Sequence, residues 1–541
     1  MIKLFYNDGF KYKHKDNAYI KGYFYKEFDN LSAEDVFNEL SDIKNEKDFS
    51  SFLKSIDGCF QIIFETKEKI FAAVDFIRSM PLFYTTVNNE FYISDNSDYL
   101  SKLSDDNKVL SPLSLSEFKL TGYVIGNNTL YKNVFSLNNG EFLCYDKITK
   151  SLTLHEYRAF IPIPQKDMDF EKSLSKLNEA YENMTKQLIS SIKDRQIVVP
   201  LSGGEDSRIV VNYLHKLNVK NVICYTYGIK SSTEAQISKK VAEFFGYEWH
   251  FVEYNHGIWR KFFKGEDYKN FAPYISRNVS TPHIQDFIAF KTLIKENIIP
   301  EKSIIIPGHT GDFQQGIQTP GIFVPDINIK KKVLLNEILG KHYINYRWNS
   351  DDMSLYKEIT NHIFEDLKID KKNYSSDEAY SLFDYFNWKE RHSKHIANSI
   401  RIYEYFNCEW RMPLWSSYPV NFWSKLPKHF RYNRKFHYNF VCTYEKELRK
   451  YLGLSNLNPP NCNYKYKVSK KDFMRLKLPA IFRKLKFNKI NKSLSNQYEE
   501  HEFGWFKIIS KDTFEKNKKN YGSVNSIVTM DYLNRFIKKR T

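Results

Sequence analysis

The sequence predicts two domains of different class: an α+β domain over residues 1–160 and an α/β domain with a parallel sheet over 168–541. Three observations carry that expectation. A chain of 541 residues exceeds what one compact core supports. Its first part consists of short strand-like runs between turns. From Gln196 onward strands alternate with helices, the pattern of parallel βαβ units.

Taken in order, Phe60–Phe64, Phe71–Val74, Leu82–Thr86 and Phe91–Ile93 read as strands, separated by turn signals such as Asp57-Gly58, Asn88-Asn89 and Asn139-Gly140. Helices are expected around Ser32–Leu40 and Pro112–Leu120, which completes a layered unit. Phe160-Ile161-Pro162-Ile163-Pro164 breaks regular structure and reads as a linker. From Asp169 to about Lys193, the residues Leu174, Leu177, Ala180, Met184, Leu188 and Ile192 recur at helical spacing, so a long helix opens the second part. Gln196–Leu201 reads as a buried strand, followed by a short glycine loop and a helix from Ser207 to about Leu217. Asn221–Tyr227 is a second strand, Thr233–Phe245 a second helix and Trp249–Tyr254 a third strand. After Ile306 the pattern is mainly helical, without internal repeats.

Composition excludes several classes. Hydrophobic residues make up 42% and charged residues 27%, a globular balance rather than a disordered one. No run of about 18 apolar residues supports a membrane-spanning helix. The polar start Met1-Ile2-Lys3-Leu4-Phe5-Tyr6-Asn7-Asp8 lacks the apolar core of a signal peptide. Cys59, Cys144, Cys224, Cys408, Cys442 and Cys462 form no Cys-x-x-Cys pair, which fits neither a disulfide framework nor a zinc site and suits a reducing cytoplasm. The net charge of +17 is concentrated in residues 465–492, where 11 Lys or Arg stand against Asp472 alone. Phe473, Leu476, Leu478, Ile481, Phe482 and Leu485 give that run an amphipathic helical spacing, interrupted by Pro479. It reads as a solvated or interdomain face, or as a contact for an anionic surface.

The chemistry is concentrated in Leu201-Ser202-Gly203-Gly204-Glu205-Asp206-Ser207-Arg208, between a buried strand and a helix start. Glycines admit a ligand close to the backbone, and free N–H groups at the helix start favour an anion. Serine hydroxyls add donors for phosphate oxygens. The Asp206 carboxylate would repel a bound phosphate unless a magnesium ion lies between them. The structural alternative is a plain turn with Asp206 or Ser207 as the N-cap.

This loop resembles the pyrophosphate-binding loop of the N-type ATP pyrophosphatases, and lacks the Gly-Lys-Ser/Thr ending of a Walker A loop. The whole chain resembles the asparagine synthetase family, which includes β-lactam synthetase and the lasso-peptide cyclases. Gly58-Cys59-Phe60, the run Asp75–Tyr84 and Ile93-Ser94-Asp95 follow that family's glutaminase-like domain. Tyr227-Gly228 with Glu234, the loop Pro307-Gly308-His309-Thr310-Gly311-Asp312, the segment Glu409-Trp410-Arg411-Met412-Pro413-Leu414-Trp415 and Leu426-Pro427 follow its synthetase domain.

The resemblance implies an Ntn-hydrolase-like first domain and an adenine-nucleotide-hydrolase-like (HUP) second domain. It also implies ATP and Mg2+, with a carboxylate activated as an acyl-adenylate and passed to ammonia or an amine. Leu201 and Tyr227 would hold the adenine end through backbone groups, and Gly308 would approach the nucleotide. Ser202, Gly203, Gly204 and Ser207 would bind pyrophosphate, while Asp206 and Asp312 would share the metal. Glu409 matches a residue of a catalytic pair in β-lactam synthetase, or is an ion-pair partner of Arg411 or Arg401. His309 stands where asparagine synthetase has a Glu, and is either a base or a loop residue holding a carbonyl. The family's late Lys falls at Lys467 or Lys465.

Departures narrow the expected reaction. Position 2 is Ile rather than the nucleophilic Cys of glutamine-hydrolysing members, so no glutaminase is expected. Glu205 and Arg208 replace an apolar and a small residue, and Phe313 an acidic one, which points away from plain aspartate as substrate. Asparagine formation from ammonia and amidation of a sugar acid or peptide are both open. So are two other classes: an RNA-modifying pyrophosphatase, favoured by the charge, and a non-catalytic nucleotide-binding protein. The oligomeric state is open, a homodimer included.

Overall fold

The computed structural model describes residues 1–348, 353–454, 494, 498 and 508–537. In the first part, one antiparallel sheet has the strand order Leu152–Glu156, Glu141–Asp146, Lys69–Val74, Asp57–Glu65, Ala18–Lys26 and Lys13–Lys15, with Asp29–Leu31 also paired to Ala18–Lys26. A second sheet has the order Ile2–Lys3, Glu90–Ser94, Phe83–Val87 and Phe135–Ser136. Side chains alternate with the two-residue period of a strand. Ile63, Ala72 and Leu143 meet Leu82, Phe91 and Ile93 between the sheets. Ile62, Phe64, Phe71 and Phe142 face Val36, Leu40, Phe49 and Leu53 of the helices Ala33–Ser41 and Glu46–Ser55. Ser32 caps the first of these through a reciprocal capping box with Asp35, and Asn45 caps the second.

The expected helices therefore occur, at Ala33–Ser41 and Pro112–Thr121. The strand Ala18–Lys26 and the helix Glu46–Ser55 are additions that the sequence pattern did not indicate. At position 2, Ile2 pairs with Ile93 and adds its side chain to the layer between the sheets.

Residues 157–168 are irregular, as the linker reading expects, and the long helix runs Phe170–Ser190. The second part is built on a five-stranded, all-parallel sheet in the order Glu248–Glu253, Val222–Gly228, Ile197–Pro200, Ile304–Ile305 and Glu409–Trp410. In chain order this is 3-2-1-4-5. The winding direction reverses between Ile197–Pro200 and Ile304–Ile305, and such a reversal opens a ligand crevice beyond the carboxyl ends of the two strands. The loops beginning at Leu201 and at Ile306 leave those two ends.

Helices Lys331–His342, Met353–Asp366 and Ser376–Phe386 make their own core and cover Tyr123 and Ile125 of the first part. The last of them continues as a π-helical segment, Asn387–Ile396. Within it, Glu390 and Lys394 form an ion pair at 2.6 Å with neither side chain exposed. Both also bind the backbone of the first part: Gly126 N–H donates to Glu390, and Lys394 Nζ donates to the Val124 and Gly126 carbonyls.

A second seam joins the two parts beside the parallel sheet. The Arg411 guanidinium lies 4.4 Å from the Tyr23 ring centre, and Tyr23 packs edge-on against Trp410. Met412 N–H donates to the Tyr23 hydroxyl, and the hydroxyls of Tyr25 and Ser191 are 2.6 Å apart. No helix among the described residues is long and apolar enough to cross a membrane.

Candidate active site

The first loop turns directly into the helix Glu205–Lys216. Its N-cap is Gly204, which has no side chain to cap with, so neither Asp206 nor Ser207 serves as the cap. Both lie inside the first turn, which excludes the plain capped turn and leaves the helix-start N–H groups facing the crevice. Serines shape the loop: Ser202 Oγ accepts from Gly204 N–H and lies 3.1 Å from Ser207 Oγ, which in turn accepts from Ser202 N–H. Gly203 is fixed by the start of the next helix, since a Cβ there would stand 2.9 Å from Glu234 Cα.

The second loop closes on the first. A Cβ on Gly308 would stand 2.5 Å from Ser207 N, and one on Gly311 would stand 2.5 Å from Asp206 Oδ1. Thr310 turns the chain through a left-handed conformation (φ 84°) and accepts a hydrogen bond from Trp415 Nε1 at 3.1 Å. The turn delivers Asp312 N–H to Asp206 Oδ2 at 2.8 Å, while Gln315 donates to Asp206 Oδ1 at 3.0 Å. Burial, followed by the facing Asp312 carboxylate, pushes the Asp206 carboxyl up to about 7.

Two carboxylates forced together in this way call for a cation. Among the described residues no group of three or more His, Cys, Asp or Glu side chains could hold a metal ion. A two-carboxylate set suits magnesium, which keeps waters and phosphate oxygens in its shell, and it does not suit zinc.

Other expected residues fall into place unevenly. Tyr227 is on the strand neighbouring Ile197–Pro200, stacked on Tyr254 with ring centres 5.0 Å apart. Leu201 N–H is already spent on the Tyr225 carbonyl and its own carbonyl accepts from Ser238 Oγ, so only the second lone pair of that carbonyl remains for a nucleotide. His309 follows Gly308, with Nδ1 3.4 Å from Ser399 Oγ. Burial, then nearby His283, lowers its pKa to about 3, so it stays neutral at pH 7 and resists taking a proton.

Glu409 is placed away from the loops. Parallel register aligns it with Ile304, and Ile304 with Ile197, at the amino ends of the strands. That is about 13 Å of strand from Leu201 and about 7 Å from Ile306, at about 3.3 Å per residue. There Glu409 Oε2 pairs with Arg195 at 2.9 Å and Arg411 at 3.0 Å. Burial works against its charge, but the two guanidiniums outweigh it and hold the carboxyl below its ordinary range. The ion-pair role is what the geometry supports, in place of a catalytic one. Lys465, Lys467 and the basic run 465–492 lie outside the described residues.

Sequence reasoning passed over two residues of this site. Arg434 Nη2 lies 2.8 Å from Glu205 Oε2 and 3.5 Å from Asp206 Oδ1, and His437 Nε2 lies 3.0 Å from Glu205 Oε2. The unusual Glu205 was the one signal that pointed to them.

An open parallel sheet with a glycine–serine loop and paired aspartates at its switch point makes this an α/β domain with a candidate ligand crevice. Residues 183–257, the span that holds this loop and the first three strands, match the family model described as Asparagine synthase. The resemblance to the asparagine synthetase family is thus carried by that segment. A comparison with curated proteins finds no match. Among solved structures, an NH3-dependent NAD synthetase from Campylobacter jejuni is 17% identical over 27% of this chain and 59% of its own, with a TM-score of 0.19. A glutamine phosphoribosylpyrophosphate amidotransferase from B. subtilis is 9% identical over 57% and 65%, with a TM-score of 0.19. An allosteric regulatory enzyme of purine biosynthesis is 9% identical over 44% and 61%, with a TM-score of 0.18. The chain spans less than two thirds of each of these structures, and overlaps of that size define no shared fold.

Proposed function

We propose that the chain is an ATP-dependent amide-forming ligase of the asparagine synthetase type, acting in the cytoplasm. One observation carries the reading: two glycine-containing loops meet at the sheet's switch point and bring Asp206 and Asp312 into one hydrogen-bonded unit. Ser202, Gly203, Gly204 and Ser207 offer a pyrophosphate cradle at a helix start, and Gly308 admits the nucleotide. Asp206 and Asp312 would hold magnesium, which when bound supplies positive charge against the leaving pyrophosphate. The acid substrate's carboxylate attacks the α-phosphorus as the bond to the β-phosphate breaks and pyrophosphate leaves. Ammonia or an amine then attacks the acyl carbon, loses a proton and displaces AMP to give an amide. Activation is needed because a carboxylate is a poor acyl donor. His309, lowered to about 3, is too weak a base to take the proton that the attacking nitrogen loses, which favours its reading as a loop residue. The first part is read as an Ntn-hydrolase-like domain kept as a structural partner, with nitrogen arriving as ammonia or an amine.

The test is release of pyrophosphate and AMP from magnesium ATP, with a panel of carboxylic acids and either ammonium or glutamine. Release with one acid, supported by ammonium and not by glutamine, is the expected result. Equal support by glutamine would remove the no-glutaminase part. A chain that binds no ATP at all would remove the ligase reading.

A further inference from the structure

Glu205 departs from the family pattern of the first loop, and the structure shows what it holds. Its carboxylate faces three cationic or donor groups: Arg434 at 2.8 Å, His437 at 3.0 Å and Arg208 at 3.6 Å. Burial opposes its charge, yet these partners draw the carboxyl down to about 2. Arg434 reaches this position through an unfavourable backbone. Asn433 (φ 54°, ψ 33°) and Arg434 (φ 58°, ψ 22°) are consecutive non-glycine residues in the left-handed region. Strain retained at a site is a pointer to use.

The guanidinium is positioned but not satisfied. Its side chain is 13% exposed, and Arg434 Nε has no hydrogen-bond partner among the described residues. It stands beside the first turn of the Glu205–Lys216 helix, where an anion is favoured, with Asp206 Oδ1 3.5 Å away. The planar fork of an arginine matches phosphate oxygens as well as it matches a carboxylate. A pyrophosphate carries several negative charges where Glu205 carries one, so it outcompetes Glu205 for the fork. His437 and Arg208 remain to hold Glu205 when Arg434 leaves.

We propose that Arg434 is a pyrophosphate-binding residue, parked by Glu205 at the edge of the cradle and transferred to the pyrophosphate of incoming ATP. This rests on ATP binding at the first loop. It gives the altered loop residue a purpose: Glu205 sets how readily the cation is released, and so tunes affinity for the pyrophosphate end of the ligand.

Titration calorimetry on the full chain, with magnesium pyrophosphate and separately with AMP, tests this. Arg434→Met is expected to weaken pyrophosphate binding roughly 10- to 100-fold, the weight of a charge-assisted hydrogen bond. AMP, which lacks the pyrophosphate, is expected to bind as before, and Arg434→Lys to recover part of the loss. Glu205→Gln is expected to tighten pyrophosphate binding in the natural background and to have no effect in the Arg434→Met background, because the two residues act as one unit. Unchanged pyrophosphate binding in Arg434→Met would overturn the proposal, and so would an equal effect of Glu205→Gln in both backgrounds. If the natural chain binds neither pyrophosphate nor ATP, the first-loop reading itself fails and the proposal falls with it.

Discussion

Gly308 approaches Ser207 so closely that a single added carbon would stand 2.5 Å from the Ser207 backbone nitrogen. The two loops are therefore interlocked at a backbone–backbone contact, which no side-chain rearrangement can relieve. Gly308→Ala is expected to push the second loop away and to carry Asp312 off Asp206. The overpacking costs about 1–3 kcal/mol, readable in a denaturant melt. Pyrophosphate release is expected to fall more steeply than stability does, and full activity in this variant would contradict the interlock.

Asp206→Asn keeps the shape of the side chain and removes one of two facing negative charges. Catalysis is expected to drop by about 100-fold or more, since a charge-stabilising group at the reacting centre is lost. The melting temperature is expected to change little, because relief of the repulsion with Asp312 is offset by the loss of one acceptor oxygen and of the charge beside Arg434. The natural chain should also show a magnesium-dependent rise in melting temperature with ATP present, and the variant should not.

Glu409→Gln tests the ion-pair role. Its carboxyl is held below the ordinary range in the folded chain by Arg411 and Arg195, which overcome burial. A depressed folded pKa contributes stability that is present above the unfolded value, near pH 4.3, and is lost as pH falls through the folded value. The variant is expected to be less stable than the natural chain by about 1 kcal/mol at pH 7, and to equal it once pH has fallen below the folded value. Its turnover is expected to stay within about twofold of the natural chain, consistent with a carboxylate tied to two arginines about 13 Å of strand from Leu201.

Lys394→Met breaks a wholly enclosed pair and leaves Glu390 without its cation. The expected loss is about 3–5 kcal/mol, measured by urea unfolding. Adding Glu390→Gln should restore much of it, because the unpaired carboxylate is then gone. A negligible loss in the single variant would show that water reaches the pair.

Some of this was legible in the residues. The helix Thr233–Phe245 was readable to its ends because both ends are punctuated: Ser232 caps it, and Gly246 closes it in the left-handed conformation. The cradle was readable because glycines and serines there do local work. The strand Ala18–Lys26 was not, since most of it is buried on both faces and shows no clean alternation. Gly22 inside it is required by a close approach, its Cβ position falling 2.1 Å from the Cys59 carbonyl oxygen. The place of Glu409 was left open between two roles because motif order says nothing of register, and only the pairing of Ile197, Ile304 and Glu409 across three strands reveals which end it occupies. Arg434 was missed because a left-handed turn far along the chain delivers it, and neither Asn433 nor Arg434 announces that turn.

The seam of Tyr23, Arg411, Tyr25 and Ser191 makes the boundary between the two parts a matter of topology more than of thermodynamics. An aromatic ring from one part is the floor on which a cation from the other rests, so neither part has a finished surface on that side. Cut at the linker, each piece would expose a wet, half-charged wound. The intact chain is accordingly expected to unfold as one unit, in a single calorimetric transition.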